Sequence, residues 1–118
     1  MKADCSLRRK ERLHGHSTFE KIRRKGSGLK GKYLLLTIYP NGLTFNRIGI
    51  AVSKRAAAKS TRRHRLKRLI SESFRQHKAV FGKGLDIVVR CKPVSRDLSL
   101  AEIETDFLGL FKKGGIKS

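Results

Sequence analysis

The residues with the clearest chemistry are the cations of one short stretch, "STRRHRLKRLISESFR", residues 60–75. It carries six lysines and arginines, one acidic residue and four large apolar residues at helical spacing. Lysine and arginine supply positive charge and hydrogen-bond donors, and at this density the chemistry they favour is the binding of phosphates. The stretch is therefore either an ordinary, highly charged surface helix or a helix that lies against a polyanion.

The whole chain supports a polyanionic partner. Its formal net charge is +20 over 118 residues, and charge of this size destabilises a compact protein unless a polyanion binds it. The excess lies in two blocks, because residues 1–32 hold 11 basic and 3 acidic residues and residues 54–78 hold 10 and 1. Nucleic acid is the first candidate partner. A membrane surface is the second and weaker one, since no apolar run approaches the roughly 20 residues of a spanning helix.

The chain has few side chains in arrangements that could catalyse a reaction. Its nine acidic residues are scattered and suggest no converging pair that could hold the metal ions of a nuclease. The phosphate-loop pattern is absent, and no Ser, Cys or Asp constellation accompanies the four histidines. Cys5 and Cys91 lack metal-ligand spacing and predict one terminal thiol and one buried strand thiol. We therefore predict no catalytic residue and no metal site in the protein itself. The N-terminus has no apolar signal-peptide core, so we expect a cytoplasmic protein.

Hydrophobic periodicity predicts the elements that must position the cations. Helices are predicted over residues 18–25, 59–78 and 99–113. Strands are predicted over residues 32–40, 44–53 and 85–91. Asn41 and Gly42 predict a turn that sets the second strand antiparallel to the first. Residues 1–118 should form a single domain with one sheet and helices packed on it, preceded within that range by a flexible basic arm over 1–16.

Three local features accompany these elements. Ser17 is a predicted N-cap of the first helix, with Glu20 in the capping-box position. Ser99 and Glu102 form the same pattern at the last helix. The segment 26–31 carries three glycines among lysines and predicts a flexible basic loop.

The main helix is predicted to have two faces. Its apolar stripe, which should dock on the sheet, consists of Leu66, Leu69, Ile70 and Phe74. Arg65 and Arg68 lie three residues apart and share one exposed edge. In the second strand the apolar residues alternate with Arg47 and three small residues, so one face of that strand should leave its backbone approachable.

The stretch "RRHRLKRLISESFR", residues 62–75, resembles the signature helix of the bacterial ribonuclease P protein family, R-N-R-x-K-R-x-x-R-E-x-F-R. The matching positions are Arg63, Arg65, Lys67, Arg68, Glu72, Phe74 and Arg75. Further segments resemble the family in the same order: "LRRKERL" (7–13), "TFEKIRRKG" (18–26), "NRIGIAVSKR" (46–55) and "GLDIVVRCKP" (84–93). The chain departs from the pattern at His64, where the family has asparagine, and at Arg23, where many members carry a second aromatic residue. A glycine often found before the signature is also missing.

The resemblance implies a fold and a function. The fold is α+β, a two-layer α-β sandwich similar to domain 2 of ribosomal protein S5, with a left-handed βαβ crossover where the general rule is right-handed. The function is that of the protein subunit of an endoribonuclease whose RNA subunit removes the 5′ leader of precursor transfer RNA. The resemblance also implies Mg²⁺ held mainly by the RNA, and one protein for each RNA subunit.

The resemblance further implies two sets of site residues. The candidates for RNA contact are Lys54, Arg55, Arg63, His64, Arg65, Lys67, Arg68 and Arg75. The candidates for a cleft that holds the single-stranded leader, between the first helix and the sheet, are Phe19, Arg23, Tyr33, Thr37 and Arg47. Phe19 is the candidate for stacking on a base, although its spacing is also that of a core residue.

Two other functions remain open at this point. A generic basic RNA-binding or ribosomal protein, with no role in transfer-RNA processing, would have the same composition. A protein nuclease that acts alone is disfavoured by the lack of converging acids.

Overall fold

The computed structural model describes residues 11–13, 15–77, 84–94 and 96–113 of the chain. Its helices are α1 (His16–Lys25), α2 (Ser60–Gln76) and α3 (Leu100–Lys113). Its strands are β1 (Ser27–Lys30), β2 (Leu34–Pro40), β3 (Arg47–Ala51) and β4 (Leu85–Cys91). The helices and the last three strands are those that periodicity predicts, whereas β1 is an addition. No helix in the described ranges is long and apolar enough to cross a membrane.

β4 occupies the centre of the sheet, between β2 and β3. The strand order is β1-β2-β4-β3, and β4 runs antiparallel to β2 and parallel to β3. The segment around Asn41 and Gly42 therefore does not join neighbouring strands, although β2 and β3 do run in opposite directions. The reason lies in the apolar run of β4, whose consecutive residues Ile87, Val88 and Val89 are all buried. Such a strand needs cover on both faces and both edges.

Helices cover both faces of the sheet. Side chains alternate along a strand, so Ile87 and Val89 point to one face, where they join the main core with α2 and α3. Val88 points to the other face and packs with Ile22 of α1 and with Leu13. The expected α+β class is confirmed. The β3–α2–β4 unit is the expected crossover between parallel strands, and its left-handed sense stays what the resemblance implies.

The glycine-rich segment 26–31 contains strand β1 and is not the flexible loop that its composition predicts. All four residues of β1 pair antiparallel with β2. A Cβ on Gly26 would lie 2.7 Å from the backbone oxygen of Ile38. Glycine at this position therefore lets the chain pass from α1 directly to the sheet edge.

A carboxylate of α3 holds the turn between β1 and β2. Asp106 accepts hydrogen bonds of 2.8 to 2.9 Å from three successive backbone N–H groups, those of Lys32, Tyr33 and Leu34. These N–H groups lie where the chain reverses between two strands, and the acid supplies an acceptor for all three. The contact fixes α3 against the start of β2.

The two predicted capping boxes have different outcomes. At α3 the box is confirmed, because the Ser99 N–H donates to Glu102 at 3.0 Å and the Glu102 N–H donates to the Ser99 hydroxyl at 3.2 Å. At α1 the prediction is wrong. This helix begins at His16 after Gly15, with no side-chain cap, and Glu20 pairs instead with Arg23, at 2.5 Å. Gly15 has φ 93°, a conformation that suits glycine and starts the helix before Ser17.

Residues 11–13 lie within the predicted flexible arm but are placed along β3. The Leu13 N–H donates to the carbonyl of Ile48 at 2.8 Å, and the Leu13 side chain is buried. The rest of the arm before residue 11, including Cys5, lies outside the described residues. Cys91 is buried, as predicted for a strand thiol, and burial raises its pKa to about 11.

Candidate RNA-binding surface

α2 presents two faces, as its periodicity predicts. Its buried residues are Leu66, Ile70, Ser73 and Phe74. Its exposed residues include four basic side chains of the signature, His64, Arg65, Lys67 and Arg68. None of these four has an ion-pair or hydrogen-bond partner among the described residues. Their donors are therefore available to a ligand.

The first part of this surface is a groove of about 580 Å³ beside the N-terminal half of α2, which we name the α2 groove. Its lining residues are Ser60, Thr61, His64, Arg65 and Arg68. Hydroxyl, imidazole and guanidinium groups all donate hydrogen bonds to phosphate oxygens. His64, which replaces the asparagine of the family pattern, thus lies where its ring N–H can donate the bond that an amide would donate.

The second part is a groove of about 330 Å³ along the outer edge of β3, which we name the Phe19 groove. Four segments line this groove. Arg12 and Leu13 come from the segment before α1, and Phe19 comes from α1 itself. β3 contributes Ile48, Gly49 and Ile50, and α2 contributes Lys67, Arg68 and Ser71. The groove combines an aromatic ring with cations from a second element. This is the combination that binds single-stranded nucleic acid without reading its sequence.

Phe19 lies against β3 at a position that has no side chain. A Cβ on Gly49 would lie 2.5 Å from the ring atoms Cε1 and Cζ of Phe19, so the ring contacts the strand backbone directly. Phe19 packs against the small core of Leu13, Ile22 and Val88 but is only partly buried. Phe19 therefore belongs to a core, as its spacing predicts, and also forms one wall of the groove, while its stacking on a base stays a prediction.

Lys54 and Arg55 are exposed in the connection between β3 and α2. The turn that carries them is anchored, because the N–H groups of Ala56 and Ala57 both donate to the carbonyl of Ser53 at 3.1 Å. Both alanine side chains are buried in the main core. The two cations are thus held on a fixed turn close to the N-terminal end of α2.

Arg63 occupies a signature position, yet its guanidinium turns toward the protein. Its Nη1 donates to the backbone oxygens of Ala57 at 3.0 Å and of Ala58 at 2.8 Å. These carbonyls belong to the connection that also carries Lys54 and Arg55. Arg63 thus fixes that connection to α2, and its direct contact with RNA stays a prediction.

We expect Arg63→Ala to lower the free energy of unfolding by about 1–2 kcal/mol, because two hydrogen bonds from a charged donor are lost at a half-buried site. Arg65→Ala removes the same charge two residues away at an exposed position, and should change the free energy of unfolding by less than about 0.5 kcal/mol. Urea unfolding measures both variants. Equal stabilities would show that Arg63 does not anchor the connection.

Two predicted RNA-binding or cleft arginines are paired with acids on their own helices. Arg75 Nε donates to Glu72 at 3.1 Å, and Arg23 donates to Glu20 at 2.5 Å. Pairs of this kind on a helix surface contribute little free energy and exchange readily with other anions. The contacts of Arg23 and Arg75 with RNA stay predictions.

Arg47 is held by a buried acid. Its Nε and Nη2 donate to the two oxygens of Asp86 at 2.8 and 2.7 Å, and this hydrogen bonding raises the pKa of Arg47. Asp86 also accepts from Asn41 at 2.9 Å. Since Asp86 lies two residues before Val88 in β4, the pair is on the face that α1 covers. The bidentate pair orients the guanidinium and leaves its other donors unused by Asp86.

Tyr33 and Thr37 do not line the Phe19 groove, nor do Arg23 and Arg47, so the structure places only one member of the predicted cleft set there. Tyr33 packs on the main core, and its hydroxyl donates to Glu102 of α3 at 3.2 Å. Thr37 is buried beneath the end of α1, where a Cβ on Gly26 would lie 2.7 Å from its Cγ2.

Two arginines that the sequence interpretation did not select are also placed at this side of the molecule. Arg12 lines the Phe19 groove. Arg90 lies on the α1 face of the sheet, in register with Leu35 and Ala51, and its buried Nε has no hydrogen-bond partner among the described residues. A buried N–H without a partner costs free energy that a bound acceptor would recover. The signal in the sequence was a basic residue within an apolar strand.

The chain matches the family model of Ribonuclease P over residues 7–115. It is 38% identical over 102 residues to the ribonuclease P protein component of Alkaliphilus oremlandii, covering 86% of this chain and 89% of that one. It is 44% identical over 84 residues to the component of Thermotoga maritima, covering 71% of each. The solved structure of a Thermotoga maritima ribonuclease P protein superposes with a TM-score of 0.77 at 33% identity, over 87% of this chain and 96% of that one. A Staphylococcus aureus ribonuclease P protein, 24% identical, shares the fold with a TM-score of 0.80, over 92% and 98% of the two chains.

An α+β fold whose helix α2 presents four exposed basic side chains without partners among the described residues, beside a groove with an aromatic ring, is typical of an RNA-binding protein. The chain belongs to the ribonuclease P protein family. It is accordingly part of an endoribonuclease that acts in transfer-RNA processing, and its partner is the RNA of ribonuclease P. The alternative of a generic basic RNA-binding or ribosomal protein is not favoured.

Proposed function

We propose that the basic side chains of the α2 groove, His64, Arg65 and Arg68, bind the catalytic RNA and that the Phe19 groove, which Lys67 also lines, holds the single-stranded 5′ leader of precursor transfer RNA. The observation that carries this proposal is the aromatic ring on the bare backbone of Gly49, in one groove with Lys67 and Arg68 of α2. Stacking and phosphate contacts bind a strand without reading its bases. An enzyme that serves many precursors of different leader sequence needs binding of this kind.

In this proposal the RNA subunit performs the hydrolysis. The described residues do not fit a magnesium site held by the protein, because no three His, Cys, Asp or Glu side chains cluster there as possible ligands. Two of the acids are already occupied, Asp86 by Arg47 and Asp106 by backbone N–H groups. We assign the Mg²⁺ to the RNA because the resemblance to the family implies it. The protein contributes cations that reduce the repulsion between two phosphate chains.

The remaining features of the proposal follow from the resemblance to the family. We assign one protein to each RNA subunit, and the cytoplasm as the place where this holoenzyme meets precursor transfer RNA. The excess of cations on α2 supports a single extended contact with one large RNA.

Gly49→Ala tests the leader site. The added methyl group would lie 2.5 Å from the Phe19 ring and displace the ring from the wall of the groove. We expect the reconstituted holoenzyme to lose about tenfold in affinity for a precursor with a 5′ leader, since stacking on one base contributes about 1–3 kcal/mol. Its affinity for mature transfer RNA, which has no leader, should stay unchanged. Equilibrium binding of the two RNAs measures the difference.

Gly109→Ala is the matched control, because a Cβ at this position in α3 meets no atom within 4 Å. It should leave both affinities unchanged. Equal losses for the two RNAs with Gly49→Ala would mean that the variant disturbs the whole protein. No loss for either RNA would contradict a leader site at Phe19.

A further inference from the structure

We propose that Arg68 contacts both RNAs at once, a phosphate of the RNA subunit in the α2 groove and a phosphate of the leader in the Phe19 groove. Arg68 lines both grooves, and their lining residues have no other member in common. The inference rests on the proposed function and goes beyond it, because it assigns the coupling of the two RNAs to a single side chain.

The helix places Arg68 on the ridge between the grooves. Residues three and four apart lie on the same side of a helix, one turn from each other. His64 and Arg65, one turn before Arg68, line the α2 groove, whereas Ser71, nearly one turn after it, lines the Phe19 groove. The Arg68 side chain therefore stands where one groove ends and the next begins.

The chemistry of the guanidinium allows two ligands. It has five N–H donors in a planar fork, and a bidentate contact with one phosphate uses only two of them. Acids occupy the forks of Arg47 and Arg75, but Arg68 is exposed and has no ion pair among the described residues.

In this arrangement the Arg68 guanidinium lies between two polyanions, the RNA subunit in the α2 groove and the leader in the Phe19 groove. Without it the phosphates of the leader and of the RNA subunit would repel each other across the ridge. With it, each RNA should bind more tightly when the other is present, and the coupling must be equal in both directions. Arg68 would thus act as the charge that links assembly to substrate binding.

The chain supplies two matched controls on the same helix. Of the two grooves, Arg65 lines the α2 groove alone and Lys67 the Phe19 groove alone, and both are exposed cations like Arg68. The test uses Arg65→Ala, Lys67→Ala and Arg68→Ala. Two equilibria are measured over a range of salt concentrations. One is protein binding to ribonuclease P RNA, and the other is holoenzyme binding to precursor transfer RNA with and without its leader.

We expect Arg65→Ala to weaken only binding to the RNA subunit, and Lys67→Ala to weaken only the contribution of the leader. Arg68→Ala should weaken both, each by about fivefold to tenfold. In both equilibria the slope of log affinity against log salt should also fall, by about the amount expected for one lost phosphate contact. A structural defect would not change the two salt slopes in this pattern. Arg68→Lys keeps the charge without the fork and should recover part of each affinity.

A change in only one equilibrium, or in neither, for Arg68→Ala would overturn the inference. This failure is distinct from failure of the proposed function. If the wild-type holoenzyme binds precursors equally with and without a leader, the leader site itself is wrong. If the wild type responds to the leader and Arg68→Ala changes one equilibrium alone, only the double contact is wrong.

Discussion

Replacing Arg65 and Arg68 together by alanine is expected to weaken binding to ribonuclease P RNA by about a hundredfold, because each loses a charge-assisted phosphate contact of about 1.4 kcal/mol. Both side chains are exposed and have no acid partner among the described residues, so their loss leaves no unpaired group in the protein. The slope of log affinity against log salt should fall by roughly 1.8 for two phosphates. Fluorescence anisotropy at several salt concentrations measures both quantities.

The control removes the same charge at the other edge of the sheet. Lys30 and Lys32 are exposed at the end of β1, and β1 is the strand farthest from β3 and the Phe19 groove. Lys30→Ala with Lys32→Ala should weaken RNA binding by less than about threefold, since only the general charge is reduced. If both double variants bind equally weakly, net charge alone explains binding and the α2 face has no special role.

Asp106→Ala is expected to lower the free energy of unfolding by about 3–4 kcal/mol, because three backbone N–H groups lose a charged acceptor and two of them are partly buried. This is a large part of the roughly 5–15 kcal/mol that stabilises a domain. Asp106→Asn keeps one oxygen as an acceptor and should cost about half as much. Urea unfolding at constant salt measures the series.

Asp97→Ala is the matched control, since it removes the same side chain at an exposed position. Asp97 pairs with Arg62 at 3.1 Å and is 63% exposed, so its loss should cost less than about 1 kcal/mol. If the Asp97 and Asp106 variants unfold at the same urea concentration, the acid of α3 does not hold the turn between β1 and β2.

Features that depend on nearby residues could be predicted from the sequence. The two faces of α2 follow from apolar residues at helical spacing. The capping box of Ser99 and Glu102 closes within one turn, so three residues contain the whole signal. The same pattern at Ser17 failed because Gly15 starts α1 earlier, and the pattern does not include that glycine.

Features that depend on distant contacts could not be predicted. Arg63 and Arg65 are both arginines of α2. Only Arg63 turns toward the protein, because the carbonyls of Ala57 and Ala58 lie within its reach. The contact of Phe19 with Gly49 joins residues 30 apart in the sequence. β1 is formed because β2 offers an edge and Asp106 holds the turn, and neither is visible in a segment of glycines and lysines.

The resemblance to a known family predicted the location of the functional surfaces, which hydrophobic periodicity could not predict. It placed the RNA-binding function on α2 and the leader beside α1, and the structure brings Phe19, Lys67 and Arg68 to one groove. It also selected Tyr33, whose hydroxyl is bound to α3 on the other side of the sheet. A residue that matches a family motif can therefore be given a role only when the contacts of its side chain are known.

Reconstitution of the holoenzyme is the most direct test of whether the chain assists an RNA enzyme. Purified protein is mixed with a bacterial ribonuclease P RNA and a precursor transfer RNA at low Mg²⁺, and the 5′ end of the product is mapped. We predict cleavage at the mature 5′ end that requires the RNA subunit and is strongly stimulated by the protein. Cleavage by the protein alone, or no stimulation by the protein, would contradict it.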